Sequence, residues 1–481
     1  MLSCVRRRGV TTYDTEKTAG VVHDHRKDMA QVPVVLPMPE ARVYEALRDV
    51  SQHNKTVLGL SGDSAAARTA LQPDCFWSVN QIRREVDVGY DSWQLSNQNR
   101  GSGTEVQYRG VQRKYPAACV ELNALITDEE VAAVLGKLKD VGAGPDGMPP
   151  VVLRDHANHT SCPVIQSFVR DFNVVFATEI VPTTWQQYRL LLHHKGHNAH
   201  PEDCDSYRGL GIGDGSLKIM SMVLEERLSK FLISTNALSS EQMGFKRESG
   251  TIEATVTLSE VIRNASKTKP VFTAFIDVQA AYDSVIREVL YEKMLRMGIG
   301  GNFLTTIQGF YHSMCADLEV GKFNVGSVNM EIGLAQGSPL SPLLFNVYLD
   351  DSIRGLKERA YEKSQQDGSV YGLPLPSAPN ELQTGTIVSQ FFADDGTLME
   401  HSMPKLQWLA DTMVELLRND GLVVNVPKTK VMVTVAQNRS DEQAELDQAE
   451  FSRDPLMIYD KPVEFVLTFP YLGTMLNSRG N

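Results

Sequence analysis

The chain has 481 residues, which corresponds to about two or three domains of ordinary size and is enough to bury a large core. With 42% hydrophobic and 22% charged residues, it has the composition of a folded globular protein, which excludes collagen-like and wholly disordered chains. The formal net charge of −12 argues against a strongly basic protein that binds nucleic acid through its bulk charge.

Cysteine spacing and hydropathy argue against two further classes. The six cysteines are scattered and include no Cys-x-x-Cys pair, so a zinc ribbon is not indicated and free thiols in a reducing compartment are expected. No apolar stretch reaches about 18 residues, and the N-terminus lacks a signal-peptide pattern. We therefore expect an intracellular protein with no membrane segment and no evident targeting signal.

The first part of the chain is the least informative. Residues 1–120 are rich in Gln, Asn, Ser and Asp and indicate no particular chemistry, so they are treated as an N-terminal extension of unknown role. Beyond them, Thr127 and Glu130 form a capping box, because each side chain can accept the backbone N–H of the other residue. This pattern predicts a helix over 128–140, ended by the glycine- and proline-rich stretch 141–147.

Helical and extended patterns then alternate. Residues 162–238 have a helical pattern at both ends and a polar loop over 193–214 between them. The nearly continuous apolar run 271–276 predicts a buried strand that ends at Asp277. A helix over 286–297 is expected to follow.

Two acidic residues mark the next predicted element. Residues 387–400 have the pattern of a strand, a tight turn and a second strand. Asp394-Asp395-Gly396 supplies the turn chemistry, which places two carboxylates at the tip of a hairpin. An amphipathic helix over 405–418 and a strand over 430–435 are predicted next.

These acidic residues have a placement that suits phosphoryl or nucleotidyl transfer. Such reactions use divalent ions to neutralise charge around the transferred phosphorus, and Mg²⁺ prefers carboxylate oxygens. If the strand that ends at Asp277 pairs beside the hairpin, its carboxylate meets those of Asp394 and Asp395 at one sheet edge. Taken singly, each motif has a simpler interpretation, since Asp-Asp-Gly is common turn chemistry and an aspartate often caps a strand end.

The order of several motifs resembles that of the reverse transcriptase family, and most closely that of the LINE-type non-LTR retrotransposon polymerases. The matching motifs are Gly144-Pro-Asp-Gly147, Lys195-Gly196 with Ser206-Tyr-Arg-Gly209, Glu241-Gln-Met-Gly-Phe245, Phe275-Ile-Asp-Val-Gln-Ala-Ala-Tyr-Asp-Ser-Val285, Gly333-Leu-Ala-Gln-Gly-Ser-Pro-Leu-Ser-Pro-Leu-Leu-Phe-Asn346, Phe392-Ala-Asp-Asp395, Gly421-Leu-Val-Val-Asn-Val-Pro-Lys-Thr-Lys430 and Phe469-Pro-Tyr-Leu-Gly473. The resemblance covers residues 127–476. Each motif is moderately specific alone, whereas the whole set in this order is very specific.

The resemblance implies an α+β fold with the fingers and palm of a right-hand polymerase, in which an antiparallel palm sheet packs on helices. Residues 121–270 would form the fingers, and residues 271–476 the palm with the catalytic carboxylates. Because the chain stops at Asn481, a few residues after the last matching motif, we expect the thumb to be missing.

The resemblance also assigns catalytic and metal-binding residues. Asp277, Asp394 and Asp395 would be the catalytic carboxylates and would hold two Mg²⁺ ions, for which Mn²⁺ could substitute. The Val278 carbonyl would be a further metal ligand. The implied reaction is attack of a primer 3′-hydroxyl on the α-phosphorus of a deoxynucleoside triphosphate, directed by base pairing to a template.

The same resemblance makes Tyr282 the steric gate against ribonucleotides. An aromatic ring beneath the incoming sugar leaves no room for a 2′-hydroxyl, so DNA is the expected product. Gln336 and Gly337 are assigned to the nucleotide, just before an apolar helix over 340–349 whose N-terminus suits a phosphate. The simpler interpretations are a half-buried aromatic residue at 282 and an ordinary helix start at 336–339.

Three basic residues complete the implied nucleotide site. Lys195 and Arg208 are candidates for binding the β and γ phosphates, and Lys428 resembles the palm lysine proposed to protonate pyrophosphate. Solvated surface charge is the alternative for each. Residues 209–213 read Gly-Leu-Gly-Ile-Gly where relatives more often carry Pro-Ile-Ser-Leu, and this departure puts the rigidity of the fingers loop in doubt.

The leading hypothesis is an RNA-directed DNA polymerase from a retrotransposon. It would use an RNA template, a DNA or RNA primer and deoxynucleoside triphosphates, and a partner chain or element-encoded domain would supply thumb and endonuclease functions. The family resemblance makes a nuclear location plausible. The alternative is an inactive or truncated remnant that acts at most as a nucleic-acid-binding protein. An RNA-making polymerase is disfavoured by Tyr282 and by Phe392-Ala393, instead of glycine, before the paired aspartates.

Overall fold

The structure is a computed structural model, and it describes most of the chain from residue 118 onwards. The described residues are 5–7, 10–12, 104–108, 111–115, 118–139, 153–154, 162–194, 196, 207–247, 249–267, 269–320, 323–375, 385–435 and 454–478. Most of the predicted N-terminal extension, the glycine- and proline-rich stretch 141–147 and Lys195 lie outside these ranges.

Helices and strands both contribute extensively to the described ranges. The helices are α1 (Ala118–Leu122), α2 (Asp128–Gly136), α3 (Pro163–Thr178), α4 (Gly215–Ser234), α5 (Thr251–Ser266), α6 (Arg287–Arg296), α7 (Gly301–Tyr311), α8 (Ser341–Asp367) and α9 (Met403–Asn419). The strands are β1 (Val5–Arg7), β2 (Val10–Thr12), β3 (Thr104–Tyr108), β4 (Val111–Tyr115), β5 (Gln187–His194), β6 (Tyr207–Ile212), β7 (Val271–Ile276), β8 (Cys315–Val320), β9 (Phe323–Asn329), β10 (Leu373–Pro374), β11 (Thr386–Ile387), β12 (Ser389–Phe392), β13 (Asp395–Glu400), β14 (Lys430–Thr434), β15 (Met457–Ile458), β16 (Lys461–Pro462), β17 (Glu464–Phe465), β18 (Thr468–Tyr471) and β19 (Thr474–Asn477). This mixture is an α+β fold, as predicted.

The chain divides into two compact units, each built from separate stretches of sequence. The first unit comprises Met1–Ala237 and Ile286–Ser341, and the second comprises Leu238–Val285 and Pro342–Asn481. The expected division into an extension, fingers and palm at residues 120 and 270 remains a prediction.

The first unit contains a four-stranded sheet with the order β6-β5-β8-β9. Strands β5 and β8 are parallel, and the outer pairs are antiparallel. The polar loop predicted over 193–214 is therefore wrong at both ends, because β5 runs to His194 and β6 covers Tyr207–Ile212. Histidines and glycines give these segments weak strand propensity, and pairing between the two strands overrides it.

The second unit contains a five-stranded sheet with the order β12-β13-β7-β14-β17. Its central strand β7 is buried along nearly its whole length, as its continuous apolar sequence predicts. Helix α5 packs on one part of this sheet through a core that joins helix, strand and C-terminal hairpin side chains. That core consists of Leu258, Ile262, Ala265, Val271, Phe275, Leu373, Met399, Met432, Tyr471 and Leu476. The sheet therefore holds β7 and β13 side by side in a rigid frame.

Several element boundaries follow the predictions closely, and two differ. Strand β7 has the predicted bounds, and α2 begins at Asp128 with both capping-box hydrogen bonds present. Helix α2 ends at Gly136, earlier than predicted, whereas the helix predicted over 340–349 continues to Asp367. The second half of this longer helix, α8, is polar and lacks the apolar pattern on which the prediction depended. Across the described ranges, no helix has both the length and the apolar character to cross a lipid bilayer.

Candidate active site

The carboxylates of the candidate site lie on neighbouring strands of the second unit. Strand β13 pairs antiparallel with β7, with Gly396 opposite Ile276. Asp395 begins β13 and Asp277 follows β7, so this register brings the two residues to the same end of the strand pair. The predicted pairing of the hairpin beside the strand that ends at Asp277 is confirmed.

The backbone around Asp277 is held by the segment that precedes β14. The Asn425 N–H donates to the Asp277 carbonyl at 2.8 Å, and the Gln279 N–H donates to the Val423 carbonyl at 2.8 Å. The Asp277 N–H donates to the Thr429 hydroxyl at 3.3 Å. The first two bonds flank the bridge between Val278 and Val424 and do not use the Val278 carbonyl.

The hairpin turn lies one residue earlier than its sequence suggests. Phe392 pairs with Asp395, so Ala393 and Asp394 form the turn, and Ala393 has a φ of +57°. The expectation that Asp394-Asp395-Gly396 forms the turn is thus wrong in register. Gly396 instead pairs with Phe391, whose ring occupies the space that a Cβ would need. The glycine is explained by cross-strand packing with this aromatic ring.

The three carboxylates interact electrostatically. Partial desolvation, followed by the negative charges of Asp394 and Asp277, raises the pKa of Asp395 to about 6. The positive charge of Lys428 acts in the opposite direction, and its Nζ lies 3.6 Å from Asp277 Oδ2. The Lys428 side chain is 63% exposed. This site concentrates negative charge that a cation can neutralise.

No three His, Cys, Asp or Glu side chains within the described ranges are arranged to enclose a metal ion. The donor chemistry nevertheless fits a hard divalent cation, because like-charged carboxylates raise one another's pKa and a cation relieves that repulsion.

Tyr282 lies in the same unit as the carboxylates. Its ring stacks on Phe345 of α8, with centroids 5.1 Å apart and an angle of 19° between the planes. Burial, and then the charge of Asp394, raise the pKa of Tyr282 above its ordinary value, so the phenol is neutral at physiological pH. The stacking partner Phe345 could not be identified from sequence, since it lies far along the chain and belongs to an ordinary apolar helix.

Gln336 and Gly337 lie in the first unit. The Gly211 N–H of β6 donates to the Gln336 carbonyl at 2.7 Å, and a Cβ on Gly211 would lie 2.9 Å from that oxygen. Gly337 has a φ of +113° and lies directly against the Gly211 carbonyl. This close backbone approach requires small residues on both sides, which accounts for a glycine in the segment that departs from the family pattern.

A buried arginine beside this loop was not identified from sequence. The Arg287 guanidinium donates to the carbonyls of Gly333 at 2.9 Å, Tyr311 at 2.9 Å and Ile332 at 3.1 Å. It also lies over the Tyr311 ring. Arg287 thereby holds the segment that leads into Gln336. Its position at the start of a helix gave no indication of burial.

The second unit therefore contains Asp277, Val278, Tyr282, Asp394, Asp395 and Lys428, whereas Arg208, Gln336 and Gly337 belong to the first. Arg208 lies on β6 opposite His193, and its side chain is outside the described part of the structure, as is all of Lys195. The nucleotide-binding roles of these residues remain predictions.

The second unit thus carries paired aspartates on a hairpin beside a strand-end aspartate. The chain matches the family described as reverse transcriptase (RNA-dependent DNA polymerase) over residues 194–476. This chain therefore belongs to the reverse transcriptase family, whose members are nucleotidyltransferases.

Several curated proteins of transposable elements are similar to this chain. A retrovirus-related Pol polyprotein from the type-1 retrotransposable element R2 of Nasonia vitripennis is 26% identical over 316 residues, or 65% of this chain and 28% of that protein. The corresponding polyprotein from the type-2 element R2DM of Drosophila melanogaster is 24% identical over 305 residues, covering 63% and 26%. A probable RNA-directed DNA polymerase from transposon BS of the same fly is 27% identical over 187 residues, covering 37% and 20%. The aligned part of this chain thus spans less than a third of each of these three relatives.

Proposed function

We propose that this chain is an RNA-directed DNA polymerase whose second unit is the palm and carries the chemistry. The observation that carries the proposal is the placement of Asp277, Asp394 and Asp395 at one end of the β7–β13 pair, where their charges interact. Grouped carboxylates with a raised pKa are typical of functional sites.

Asp277, Asp394 and Asp395 would hold two Mg²⁺ ions, with the Val278 carbonyl as a further ligand. When bound, such ions stabilise the charge that develops on the transferred phosphoryl group. The carboxylates are expected to turn toward the ions, since their present arrangement encloses none. The Asp277 backbone is already held by the bond from the Asn425 N–H and by its own bond to the Thr429 hydroxyl, and Asp395 begins β13 of the sheet.

The neighbouring side chains have roles that match their surroundings. Tyr282 would exclude a 2′-hydroxyl, and the stacking of its ring on Phe345 supports this role because it favours one position of the ring. Lys428 balances the carboxylate charge and is exposed enough to exchange a proton with the pyrophosphate that leaves. The substrates would be an RNA template, a DNA or RNA primer and deoxynucleoside triphosphates. The first unit, with Gln336 and Gly337, would serve as the fingers.

Primer extension tests this proposal. The wild-type protein should extend oligo(dT) on poly(rA) with dTTP and Mg²⁺ or Mn²⁺. The double substitution Asp394→Asn and Asp395→Asn should reduce the rate about 1,000-fold or more, because charge stabilisation of several kcal/mol is lost. The matched control is Asp411→Asn, which removes an exposed carboxylate on α9 of the same unit.

Two results would contradict the proposal. Undiminished extension by the double variant would show that the carboxylates are not catalytic. Absence of extension by a wild-type protein that is folded, as judged by a cooperative melting transition, would favour the alternative of an inactive remnant that binds nucleic acid.

A further inference from the structure

One motif of the second unit has no role in the chemistry described above. The segment Glu241–Phe245 lies beside β12 of the hairpin, where Gln242 forms a parallel bridge with Phe391. The Phe391 N–H donates to the Glu241 carbonyl at 2.8 Å, and the Met243 N–H donates to the Phe391 carbonyl at 2.7 Å. The segment therefore extends the sheet edge next to the two aspartates.

The side chain of Gln242 is fully buried and reaches the hairpin turn. Its Oε1 accepts the Ala393 N–H at 2.9 Å, and its Nε2 donates to the Ala393 carbonyl at 3.2 Å. Its Oε1 also accepts the Gly244 N–H at 2.9 Å. One amide group thus binds both backbone polar groups of the residue that precedes Asp394.

Ala393 needs such support. Its φ of +57° lies in the left-handed region, which costs a residue with a Cβ about 1–2 kcal/mol. The turn that Ala393 begins sets the direction in which the Asp394 and Asp395 side chains leave the backbone. A change in the Ala393 backbone would therefore move both carboxylates together.

Gly244, in the same segment, packs directly against the backbone of the hairpin turn. A Cβ at position 244 would lie 2.9 Å from the Phe392 carbonyl carbon and closer still to the Ala393 nitrogen. The Gly244 carbonyl in turn accepts a bond from the buried Asn346 side chain at 2.7 Å. The turn is thus packed against a backbone that is itself held by α8.

We propose that Gln242 and Gly244 are positioning residues that hold the Ala393–Asp394 turn, and with it the paired carboxylates, in the geometry required for nucleotidyl transfer. This inference rests on the proposed polymerase function. Both residues are buried. Their effect is exerted through the backbone of Ala393.

Three substitutions test the proposal. Gln242→Leu removes both bonds to Ala393 and puts an apolar side chain of similar size in place of the amide. Gln242→Glu keeps the acceptor and replaces the donor with an oxygen that faces the Ala393 carbonyl. Gly244→Ala leaves Gln242 intact and displaces the turn directly.

The matched control is Gln390→Leu. Gln390 is a buried glutamine on β12 of the same hairpin, but its Nε2 donates to the Ala254 carbonyl at 2.8 Å, away from the turn. Its removal should lower the melting temperature by an amount comparable to that of Gln242→Leu, because each variant loses buried amide hydrogen bonds.

In primer extension, Gln242→Leu and Gly244→Ala should each lower kcat by about 100-fold, the loss typical of reacting groups misplaced by about 1 Å. The KM for dTTP should stay within about threefold, and Gln242→Glu should have an intermediate kcat. Gln390→Leu should keep kcat. Equal loss of kcat in Gln242→Leu and Gln390→Leu would reduce the role of Gln242 to stability and overturn the proposal.

Two measurements do not depend on turnover. Binding of Mn²⁺, followed by electron paramagnetic resonance without nucleotide, should weaken at least tenfold in the Gln242 and Gly244 variants. Hydrogen exchange should accelerate in peptides that contain residues 390–396 and should not change in the α5 peptides. Unchanged exchange and unchanged Mn²⁺ affinity in folded variants would overturn the proposal.

The outcomes separate this proposal from the proposed function. If the wild-type protein fails to extend a primer, the polymerase function fails, and the exchange and Mn²⁺ measurements still decide whether Gln242 and Gly244 hold the turn. If Gln242→Leu does not fold, Gly244→Ala and Gln242→Glu decide the result by the same criteria.

Discussion

The balance of charge around Asp395 characterises the candidate site. Desolvation and two neighbouring carboxylates raise the pKa of Asp395 to about 6, while Lys428 lowers it. A carboxyl group with this pKa is still mostly ionised at neutral pH. The arrangement therefore favours a cation in physiological conditions while Asp395 is mostly ionised.

Tyr282 allows a direct test of sugar selectivity. Tyr282→Ala removes the ring that stacks on Phe345 and opens space beside the carboxylates. We expect the preference for dTTP over UTP, measured as the ratio of kcat/KM values, to fall at least about tenfold, because a steric clash with the 2′-hydroxyl is lost.

The control for this test is Tyr282→Phe. It keeps the ring and removes only the hydroxyl, so the preference for dTTP should change less than about threefold. If Tyr282→Ala retains the wild-type preference for dTTP, Tyr282 is not the steric gate.

At the scale of elements, one ion pair connects the start of α2 to α4 within the first unit. The Arg227 guanidinium donates from Nε and Nη2 to the Glu130 carboxylate, both at 2.7 Å. It also donates to the carbonyls of Leu122 at 3.1 Å and Leu125 at 2.9 Å. Glu130 is also the capping-box residue of α2, so one carboxylate serves both the helix start and the packing of helices.

The ion pair between Glu130 and Arg227 should make the free energy of unfolding depend on pH. Burial acts to raise the pKa of Glu130, but the hydrogen bonds and charge of Arg227 outweigh burial and hold the pKa below its ordinary value. A lowered folded-state pKa means that the stabilisation is fully present above the unfolded-state pKa of about 4.3 and is lost as the pH falls through the folded-state value. At pH 7, Glu130→Gln should lower the free energy of unfolding by roughly 2–3 kcal/mol, since it leaves a buried arginine without its counter-charge.

Denaturant unfolding from pH 7 to pH 3 measures this effect. The difference between the wild-type protein and Glu130→Gln should shrink below about pH 4, as the wild-type carboxylate becomes protonated. Glu129→Gln, at an exposed position of the same helical turn, is the control and should change stability by less than about 0.5 kcal/mol. A difference independent of pH would show that the charge of Glu130 is not what stabilises the contact.

At the scale of the whole molecule, the chain passes from one unit to the other three times, after Ala237, Val285 and Ser341. Strand β7 lies between the first two of these crossings, whereas its neighbours β13 and β14 come more than 100 residues later. The second unit can form its sheet only when residues after Ser341 are present.

Truncation tests this dependence. A chain that ends at Ser341 retains β7 without its two neighbours, so we expect it to aggregate through an apolar strand with unpaired edges. Replacing residues 238–285 of that truncated chain with a flexible linker of about 20 residues, which spans roughly 25 Å, should restore a soluble monomer. Size-exclusion chromatography compares the two chains. Equal solubility would contradict the assignment of β7 to a separate folding unit.

The sequence alone determined several secondary-structure elements of this protein through local patterns. The apolar run of β7, the capping box of α2 and the two-strand pattern around Asp394 all depend on residues within a few positions of one another. Such short-range patterns specify the type and approximate position of an element, because backbone conformation and hydrogen bonding at these sites are local. The order of the motifs then sufficed to indicate the family and the three carboxylates.

Tertiary structure decided the contacts between residues that are distant in sequence. The backbone contact of Gly211 with Gln336, the stacking of Tyr282 on Phe345 and the bonds from Gln242 to Ala393 each join segments separated by 60 or more residues. The pairing of Phe391 with Gly396 also sets the register of the hairpin, so the turn begins at Ala393 and not at Asp394 as the sequence predicted. No local pattern encodes these contacts, since they depend on which surfaces meet when the sheets and helices pack.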